Sequence, residues 1–320
     1  MMEASATPRI GGFDSIKHRE AASGMRLDKR VADQFGLSRR GADRAVRGGQ
    51  IDVAGQTCFD PAREVGAEAE LTHSPGRPRP ETKARRIKVM YEDHHVLIVD
   101  KPAGLLTQPT PDRERDTLLE RAGRYLAQTR GLATPYVGFV HRIDKQTSGV
   151  ILLVCTPKAL RPFQTLFRTH AIERSYLAVV EGIVKPARGM IDLPLVADRG
   201  DGRRGATRGE DAGVPAVTHY EVLEHFGTRA SLLNCRLETG RTHQIRIHLA
   251  EIDHPVVGDP VYGPKGRLRF PVPFPRQALH AQALGFIHPM SAQALRIEAP
   301  LPADLKDLIA GLRERFGSNR

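Results

Sequence analysis

The segment GFVHRIDKQTSGVILLVCT, residues 138–156, decides the fold of the larger part of the chain. Its second half, GVILLVC at 149–155, is an almost continuous apolar run, which predicts a strand buried on both faces. Its first half holds a cluster of polar side chains immediately before that strand. The pattern predicts a polar turn at the edge of a sheet.

This polar turn offers acid, base and nucleophile types together, at His141, Arg142, Asp144, Lys145, Thr147 and Ser148. Spacing alone favours a turn in which Asp and Ser side chains cap backbone groups, because catalytic residues are few in any chain. A serine hydrolase and a metalloprotease are not supported, since the sequence has neither a G-x-S-x-G elbow nor an H-E-x-x-H motif.

The flanking sequence predicts further elements of the same domain. Strand candidates are RIKVMYED, HHVLIVDK, SYLAVVEGIV, VTHYEVLEHF and ASLLNCRLE. A helix is expected from Asp116 to Ala127, and residues 198–214 predict an exposed loop. We therefore predict an α+β domain over residues 87–320, with a mixed, largely antiparallel sheet and flanking helices.

Residues 25–73 predict a small α/β domain that precedes the larger one. Leu27, Val31 and Phe35 recur at helical spacing, Ser38 is a candidate cap for a second helix through Val46, and a strand follows. Residues 1–24 lack a sustained period and predict a flexible tail. Residues 74–86 are rich in Pro and Arg and predict a basic linker between the two domains.

The chain is strongly basic, which favours partners such as RNA, DNA or acidic lipid surfaces. It holds 48 Lys and Arg against 37 Asp and Glu, a net charge of +11, and its pI is about 9.9. Four arginines surround the second predicted helix: Arg39, Arg40, Arg44 and Arg47. They are either a solvated helix face or contacts to a phosphate backbone.

Composition and length exclude several classes of protein. The 320 residues, 40% of them hydrophobic, suffice for two globular domains. Cys58, Cys155 and Cys235 lack CxxC spacing, so neither a disulfide framework nor a cysteine zinc site is indicated, and reduced, partly buried thiols are expected. No apolar run has the length of a membrane span. A cytoplasmic monomer is predicted.

The segment HRIDKQTSGVILL resembles the signature of the RluA-type family of RNA pseudouridine synthases, with Ile143 where leucine is commoner. Four further segments agree in order with that family: residues 91–109, 174–182, 237–263 and 276–289. The resemblance covers nearly all of residues 87–305. Residues 25–72 are similar to the S-four-type RNA-binding domain, which often accompanies this family.

The resemblance implies a reaction in which uracil leaves its ribose at nitrogen one, rotates and rejoins through carbon five, without a metal or organic cofactor. Asp144 matches the essential aspartate of the family and is the expected nucleophile, attacking either the sugar or the pyrimidine ring. Arg246 matches the arginine that stabilises the charged carboxylate, and Tyr176 the active-site tyrosine. Arg142 matches the residue implicated in filling the space of the extruded base.

Each of these residues has a plainer interpretation. Arg246 and Arg142 are also suited to bind phosphate, and Tyr176 to be a half-buried strand aromatic. His141 is interpreted as structural, and Thr242 as the cap of the helix that carries Arg246. His243 and His248 are given no role.

RNA is the expected partner, with large-subunit ribosomal RNA favoured over transfer RNA because of the two-domain layout. A noncatalytic RNA-binding or assembly factor is the main alternative, and the intact set of Asp144, Tyr176 and Arg246 argues against it. A metal-dependent RNA hydrolase is a third reading, but the sequence lacks clustered ligand spacing.

Overall fold

The computed structural model of the chain describes residues 25–77, 86–109, 116–207, 213–263 and 270–319. The chain divides into two compact units, Met1–Lys83 and Ala84–Arg320. The predicted tail at 1–24 and most of the predicted linker, residues 78–85, lie outside the described residues.

Short helices and strands surround a small apolar core in the N-terminal unit. The helices are α1 (Leu27–Phe35) and α2 (Arg39–Arg47), and the strands are β1 (Met25–Arg26), β2 (Ile51–Val53), β3 (Gln56–Thr57), β4 (Glu64–Val65) and β5 (Leu71–His73). Strand β2 lies between β3 and β5, β1 pairs with β4, and all of these pairs are antiparallel. As predicted, Ser38 caps α2, because its Oγ accepts the N–H of Gly41 at 3.0 Å.

Contacts of the N-terminal unit continue past residue 73. The backbone N–H of Ser74 donates to the carbonyl oxygen of Gln50 at 2.9 Å. The two Nη atoms of Arg77 donate to the Asp52 carboxylate at 2.7 and 2.6 Å. The start of the predicted linker, residues 74–77, is therefore bonded to this unit.

The C-terminal unit is built on one large sheet with four helices among its described residues. Its strands are β6 (Lys88–Glu92), β7 (Val96–Lys101), β8 (Gly138–Phe139), β9 (Ser148–Val154), β10 (Ile172–Glu181), β11 (Arg188–Asp192), β12 (Leu195–Val196), β13 (Gly205–Ala206), β14 (Val217–Phe226), β15 (Ala230–Leu237), β16 (Leu279–Ile287) and β17 (Ala294–Glu298). Its helices are α3 (Leu118–Arg130), α4 (Pro157–Arg168), α5 (Gln244–Glu251) and α6 (Ala303–Phe316).

Ten of these strands form the sheet in the order β11-β14-β15-β10-β16-β9-β7-β6, with β17 beside β16 and β8 beside β9. The pair β9–β16 is parallel, joining Ser148 to His280 and Gly149 to Ala281, and the other pairs of this sheet are antiparallel. The predicted α+β class with a mixed, largely antiparallel sheet is confirmed.

Strand β9 lies in the middle of the core, as its apolar run predicts. All seven of its residues are buried. Gly149 has a φ of 114°, and a Cβ atom there would collide with the carbonyl oxygen of Ala281. Glycine is therefore required where β9 and β16 meet, four to five residues after Asp144.

Two elements differ from the sequence prediction. Helix α3 begins at Leu118 rather than Asp116 and ends at Arg130, because Thr117 and Glu120 form a capping box at its start. Within the predicted loop 198–214, β13 pairs with β12, whereas residues 208–212 lie outside the described part. All three cysteines are free and buried.

Candidate active site

The turn that carries Asp144 is fixed by the last residue of β7 and the segment that follows it. The carbonyl oxygen of Lys145 accepts hydrogen bonds from the Gly104 N–H at 2.8 Å and from the Lys101 ammonium group at 3.1 Å. Lys101 is completely buried and donates to two further backbone carbonyls. Burial lowers the pKa of Lys101 to about 7. The backbone beside Asp144 is thus held by a hydrogen bond from a buried amine.

His141 anchors the other end of the same turn. Its Nε2 accepts the backbone N–H of Leu152 in β9 at 2.9 Å, and its ring stacks on Phe167 with centroids 4.5 Å apart. Enclosure of the ring lowers the pKa of His141 to about 3, so it is neutral at pH 7. Because Nε2 accepts a hydrogen bond, the ring proton is assigned to Nδ1. The contacts are those of a structural histidine.

Asp144 and Arg246 meet across 102 residues of sequence. Nη1 of Arg246 donates to Oδ2 of Asp144 at 2.8 Å. The Arg246 side chain is only 5% exposed, whereas that of Asp144 keeps 18% exposure. A nearly buried cation therefore supports a carboxylate that remains accessible to a small molecule or a base.

A second carboxylate, Asp259, holds Arg246 from another side. Nε and Nη2 of Arg246 donate to the two Asp259 oxygens at 2.6 and 2.9 Å. The Asp259 side chain is fully buried and also accepts the N–H groups of Val261 and Tyr262. Burial opposes ionisation, but the bonds and charge of Arg246 outweigh it and hold the pKa of Asp259 below its usual range. Asp259 is thus an anion that orients Arg246.

Asp144, Tyr176 and Arg246 line one cavity of about 450 Å³. The size lies within the range of small-molecule sites. Tyr176 is 8% exposed, and burial raises the pKa of its hydroxyl, which stays protonated at neutral pH. Arg142 is exposed and also lines this cavity. The structure therefore brings together four of the residues that were singled out in the sequence.

The start of α5 differs from its prediction. The N-terminal cap is His243 rather than Thr242, with a φ of 61° and no side-chain capping bond. The turn is instead closed by Gln244, whose Oε1 accepts the N–H of Arg241 at 2.9 Å. This conformation directs His243 toward the site, with Nε2 at 3.9 Å from Asp144 Oδ2.

The two histidines without a sequence-derived role have different surroundings. His243 Nδ1 lies 2.9 Å from the hydroxyl of Tyr262, and His243 lines the cavity. His248 is fully buried, with Nδ1 at 2.9 Å from Thr218 Oγ1 and Nε2 at 3.0 Å from the carbonyl oxygen of Leu193. His248 is therefore a structural residue, whereas His243 belongs to the wall of the site.

The four arginines of α2 are all exposed, while Ala42, Ala45 and Val46 of the same helix are buried. Arg47 forms an ion pair with Asp43 at 2.9 Å, and Arg39 lies 3.7 Å from Asp28. Arg40 and Arg44 form no ion pair with any residue that the structure describes. The polar face of α2 is thus only partly neutralised.

Sequence reasoning assigned no role to Asp259, Lys101 or His243. Asp259 lies in the segment 237–263 that carried the family resemblance, and Lys101 comes directly before the Pro-Ala-Gly break. A carboxylate beside a glycine and a lysine at the end of an apolar strand were the available signals. Neither signal reveals burial, which depends on distant parts of the chain.

Within the described ranges, no group of three His, Cys, Asp or Glu side chains is arranged to hold a metal ion. The helices in that part of the chain are too short or too polar to span a bilayer.

Comparisons with known proteins identify the family of the chain. The profile of the family described as RNA pseudouridylate synthase matches residues 95–251. The chain is 36% identical to ribosomal large subunit pseudouridine synthase D of Xanthomonas campestris pv. campestris, over 98% of this chain and 97% of that protein. It is also 36% identical to the protein of the same name from Zymomonas mobilis subsp. mobilis, over 92% and 95% of the two chains.

A solved structure, human RNA pseudouridylate synthase domain containing 4, has a similar fold. Its TM-score is 0.59 at 23% identity, and the match covers 73% of this chain and 94% of the human one. The chain belongs to the RNA pseudouridylate synthase family. It is accordingly an isomerase of the pseudouridine synthase class, and this sequence prediction is confirmed.

Proposed function

We propose that this enzyme converts uridine to pseudouridine in large-subunit ribosomal RNA, with Asp144 as the nucleophile. The observation that carries the proposal is the chain of contacts from Asp259 through Arg246 to Asp144 at the wall of a base-sized cavity. The substrate class rests on the names of its relatives, which are ribosomal large subunit pseudouridine synthases.

The isomerisation needs one nucleophile that adds and later leaves. The bond between nitrogen one of uracil and the ribose breaks, carbon five bonds to the same ribose carbon, and the proton on carbon five is lost while nitrogen one gains one. Asp144 supplies the reversible covalent partner, on the sugar or on the ring. Arg246 holds that carboxylate at 2.8 Å, and Tyr176 stacks on the base and assists proton movement at carbon five.

The target uridine must leave its stack to reach Asp144, which lies within the cavity. Arg142 is exposed and planar, and it occupies the space vacated by the extruded base. The N-terminal unit acts as an S-four-type RNA-binding domain through the exposed face of α2. The enzyme works as a cytoplasmic monomer, with structured RNA as its partner.

Pseudouridine mapping of ribosomal and transfer RNA tests this function. A carbodiimide-based primer-extension assay compares cells with the gene, cells without it, and cells that carry the Asp144→Asn variant. We expect one or more large-subunit positions to lose pseudouridine in the second and third strains. The proposal fails if no uridine changes state in either RNA class and the purified enzyme also leaves unmodified transcripts untouched. A change confined to transfer RNA would support the proposed reaction but would show that transfer RNA, not ribosomal RNA, is the substrate.

A further inference from the structure

Arg174 lies in the wall of the active-site cavity, but it has no role in the proposed isomerisation. It stands two residues before Tyr176 on β10, so both side chains project from the same face of the strand. Arg174 is only 6% exposed. A buried guanidinium beside the reacting base requires a physical reason.

The charge of Arg174 is not balanced by the protein. Its Nη2 donates to the carbonyl oxygens of Leu237 and Glu238 at 3.3 and 2.6 Å, and its buried Nε has no hydrogen-bond partner. No carboxylate of the described residues lies within ion-pair distance of it. Burial lowers the pKa of the Arg174 guanidinium. Because an unpaired buried charge is costly, an anion from outside the chain would stabilise this arrangement.

The cavity as a whole has an excess of positive charge. Five arginines line it, but only one carboxylate does, that of Asp144, and this carboxylate is already bonded to Arg246. Among the described residues, Arg142, Arg168 and Arg241 form no ion pair, and all three are exposed. Arg174 therefore marks the buried end of a cationic surface that continues to the mouth of the cavity.

The backbone leaves room for this guanidinium. A Cβ atom at Gly240 would lie 2.5 Å from Nη1 of Arg174, so glycine keeps that nitrogen unobstructed. Phe167 lies beside the group, with the guanidinium carbon 5.9 Å from the ring centroid. Nη1 has no hydrogen bond to the described residues, and Arg174 is one of the residues that line the cavity.

We infer that Arg174 binds a backbone phosphate adjacent to the target uridine and thereby positions that nucleotide over Asp144; this rests on the proposed function. A phosphate is favoured over a uracil oxygen, because only an anion compensates the buried charge. Nη1, which has no hydrogen bond to the described residues, can donate to a phosphate oxygen, and the charge of that phosphate would balance the buried guanidinium. Arg174 is thus a substrate-binding residue at the buried end of the site.

Neutral phosphate analogues test this assignment. An RNA fragment that spans the mapped uridine is made with a methylphosphonate on either its 5′ or its 3′ side, and kcat/KM is measured for each. We expect one of the two analogues to lower kcat/KM of the wild-type enzyme by about 10- to 100-fold. Arg174→Gln should lose a similar factor on native RNA and lose nothing more with that analogue.

Arg174→Lys covers the possibility that the glutamine variant does not fold. Lysine keeps a cation but not the planar guanidinium that fixes the direction of the donor, so the analogue should lower its kcat/KM less than that of the wild type. Arg229→Gln, in the exposed turn after β14, controls for the loss of one charge. The inference is overturned if the loss of kcat/KM caused by the Arg174 variants and the loss caused by the analogue multiply. It is also overturned if both analogues leave kcat/KM of the wild-type enzyme unchanged. Absence of wild-type turnover on native RNA instead defeats the proposed function.

Discussion

The two units of this chain present arginine in opposite ways. On α2, Arg40 and Arg44 face solvent and form no ion pair with described residues. In the C-terminal unit, Arg246 is 5% exposed and bonds two carboxylates, Asp144 and Asp259. The first arrangement suits contacts with any nearby phosphate, whereas the second holds the guanidinium of Arg246 in one position against Asp144.

This difference predicts different responses to substitution. Exposed cations contribute separately and are screened by salt, so their removal should weaken RNA binding in steps. Members of a buried network depend on one another, so the loss of one member should stop the reaction or disturb the fold.

Asp144→Asn is expected to lower kcat by at least about 10,000-fold, because an amide cannot act as the anionic nucleophile. RNA affinity and thermal stability should stay near those of the wild type, since Arg246 keeps its bonds to Asp259. Single-turnover assays and filter binding measure the two quantities. Asp253→Asn, at an exposed position, is the matched control. Substantial turnover after mass spectrometry excludes deamidation would contradict the covalent carboxylate mechanism.

Arg246→Met should also abolish turnover, and it should destabilise the protein by about 3–5 kcal/mol because Asp259 is left buried without a cation. Urea unfolding measures the loss. Adding Asp259→Asn should restore much of the stability, since asparagine can still accept the backbone N–H groups of residues 261 and 262, but no activity should return. Recovery of activity in the double variant would show that Arg246 does not support Asp144 in the reaction.

Arg142→Ala is expected to lower kcat/KM on structured RNA by about 100-fold, the equivalent of a few kcal/mol of unstacking. A substrate whose target uridine is already unpaired should recover part of that rate. Parallel assays on paired and unpaired substrates separate base extrusion from phosphate binding. Equal losses on both substrates would assign Arg142 to phosphate contact instead.

Neutralising Arg39, Arg40, Arg44 and Arg47 together should weaken RNA binding and reduce the slope of log affinity against log salt by somewhat under one unit per lost contact. Activity on a short RNA at high concentration should change less. Because Arg39 and Arg47 already face carboxylates, the Arg40→Gln and Arg44→Gln pair should account for most of the change. An unchanged slope, matching that of an Arg188→Gln and Arg229→Gln control, would remove α2 from the RNA-binding surface.

Lys101 should give the unfolding free energy a distinct pH dependence. Its pKa is about 7 in the folded protein and about 10.4 in an unfolded chain, so the unfolded state binds more protons between these values. The contribution of Lys101 to the free energy of unfolding therefore increases as the pH rises above 7, by at most about 1.4 kcal/mol per pH unit. Urea unfolding at pH 7 and pH 8 should show this gain in the wild type and in the exposed Lys158→Met control, but not in Lys101→Met. A gain retained in Lys101→Met would place the titration elsewhere.

Local patterns were sufficient to predict the elements of the fold. The apolar run of β9, the spacing of α1 and the cap at Ser38 depend on neighbours in sequence, and all three agree with the structure. The prediction that Thr242 caps α5 was wrong, because Gln244 closes that turn through its own side chain. Thr242 has the correct chemistry for a cap, but a neighbouring residue satisfies the same backbone groups.

The site was less accessible to sequence reasoning. Family resemblance singled out Asp144, Tyr176 and Arg246, and the structure places them in one cavity. Asp259 and Arg174 were missed because their importance depends on burial among residues far away in sequence. A carboxylate or an arginine on a strand or turn has the same local signature whether it faces solvent or the interior.

The 102 residues between Asp144 and Arg246 also have a consequence during synthesis. At about 5–20 residues per second, the aspartate leaves the ribosome roughly 5–20 s before the arginine that bonds it. A nascent chain in that interval has neither α5 nor the β16 strand that flanks β9. The pair of Asp144 and Arg246 is therefore assembled only after α5 has been made, and translation products that end before α5 are expected to lack pseudouridine synthase activity.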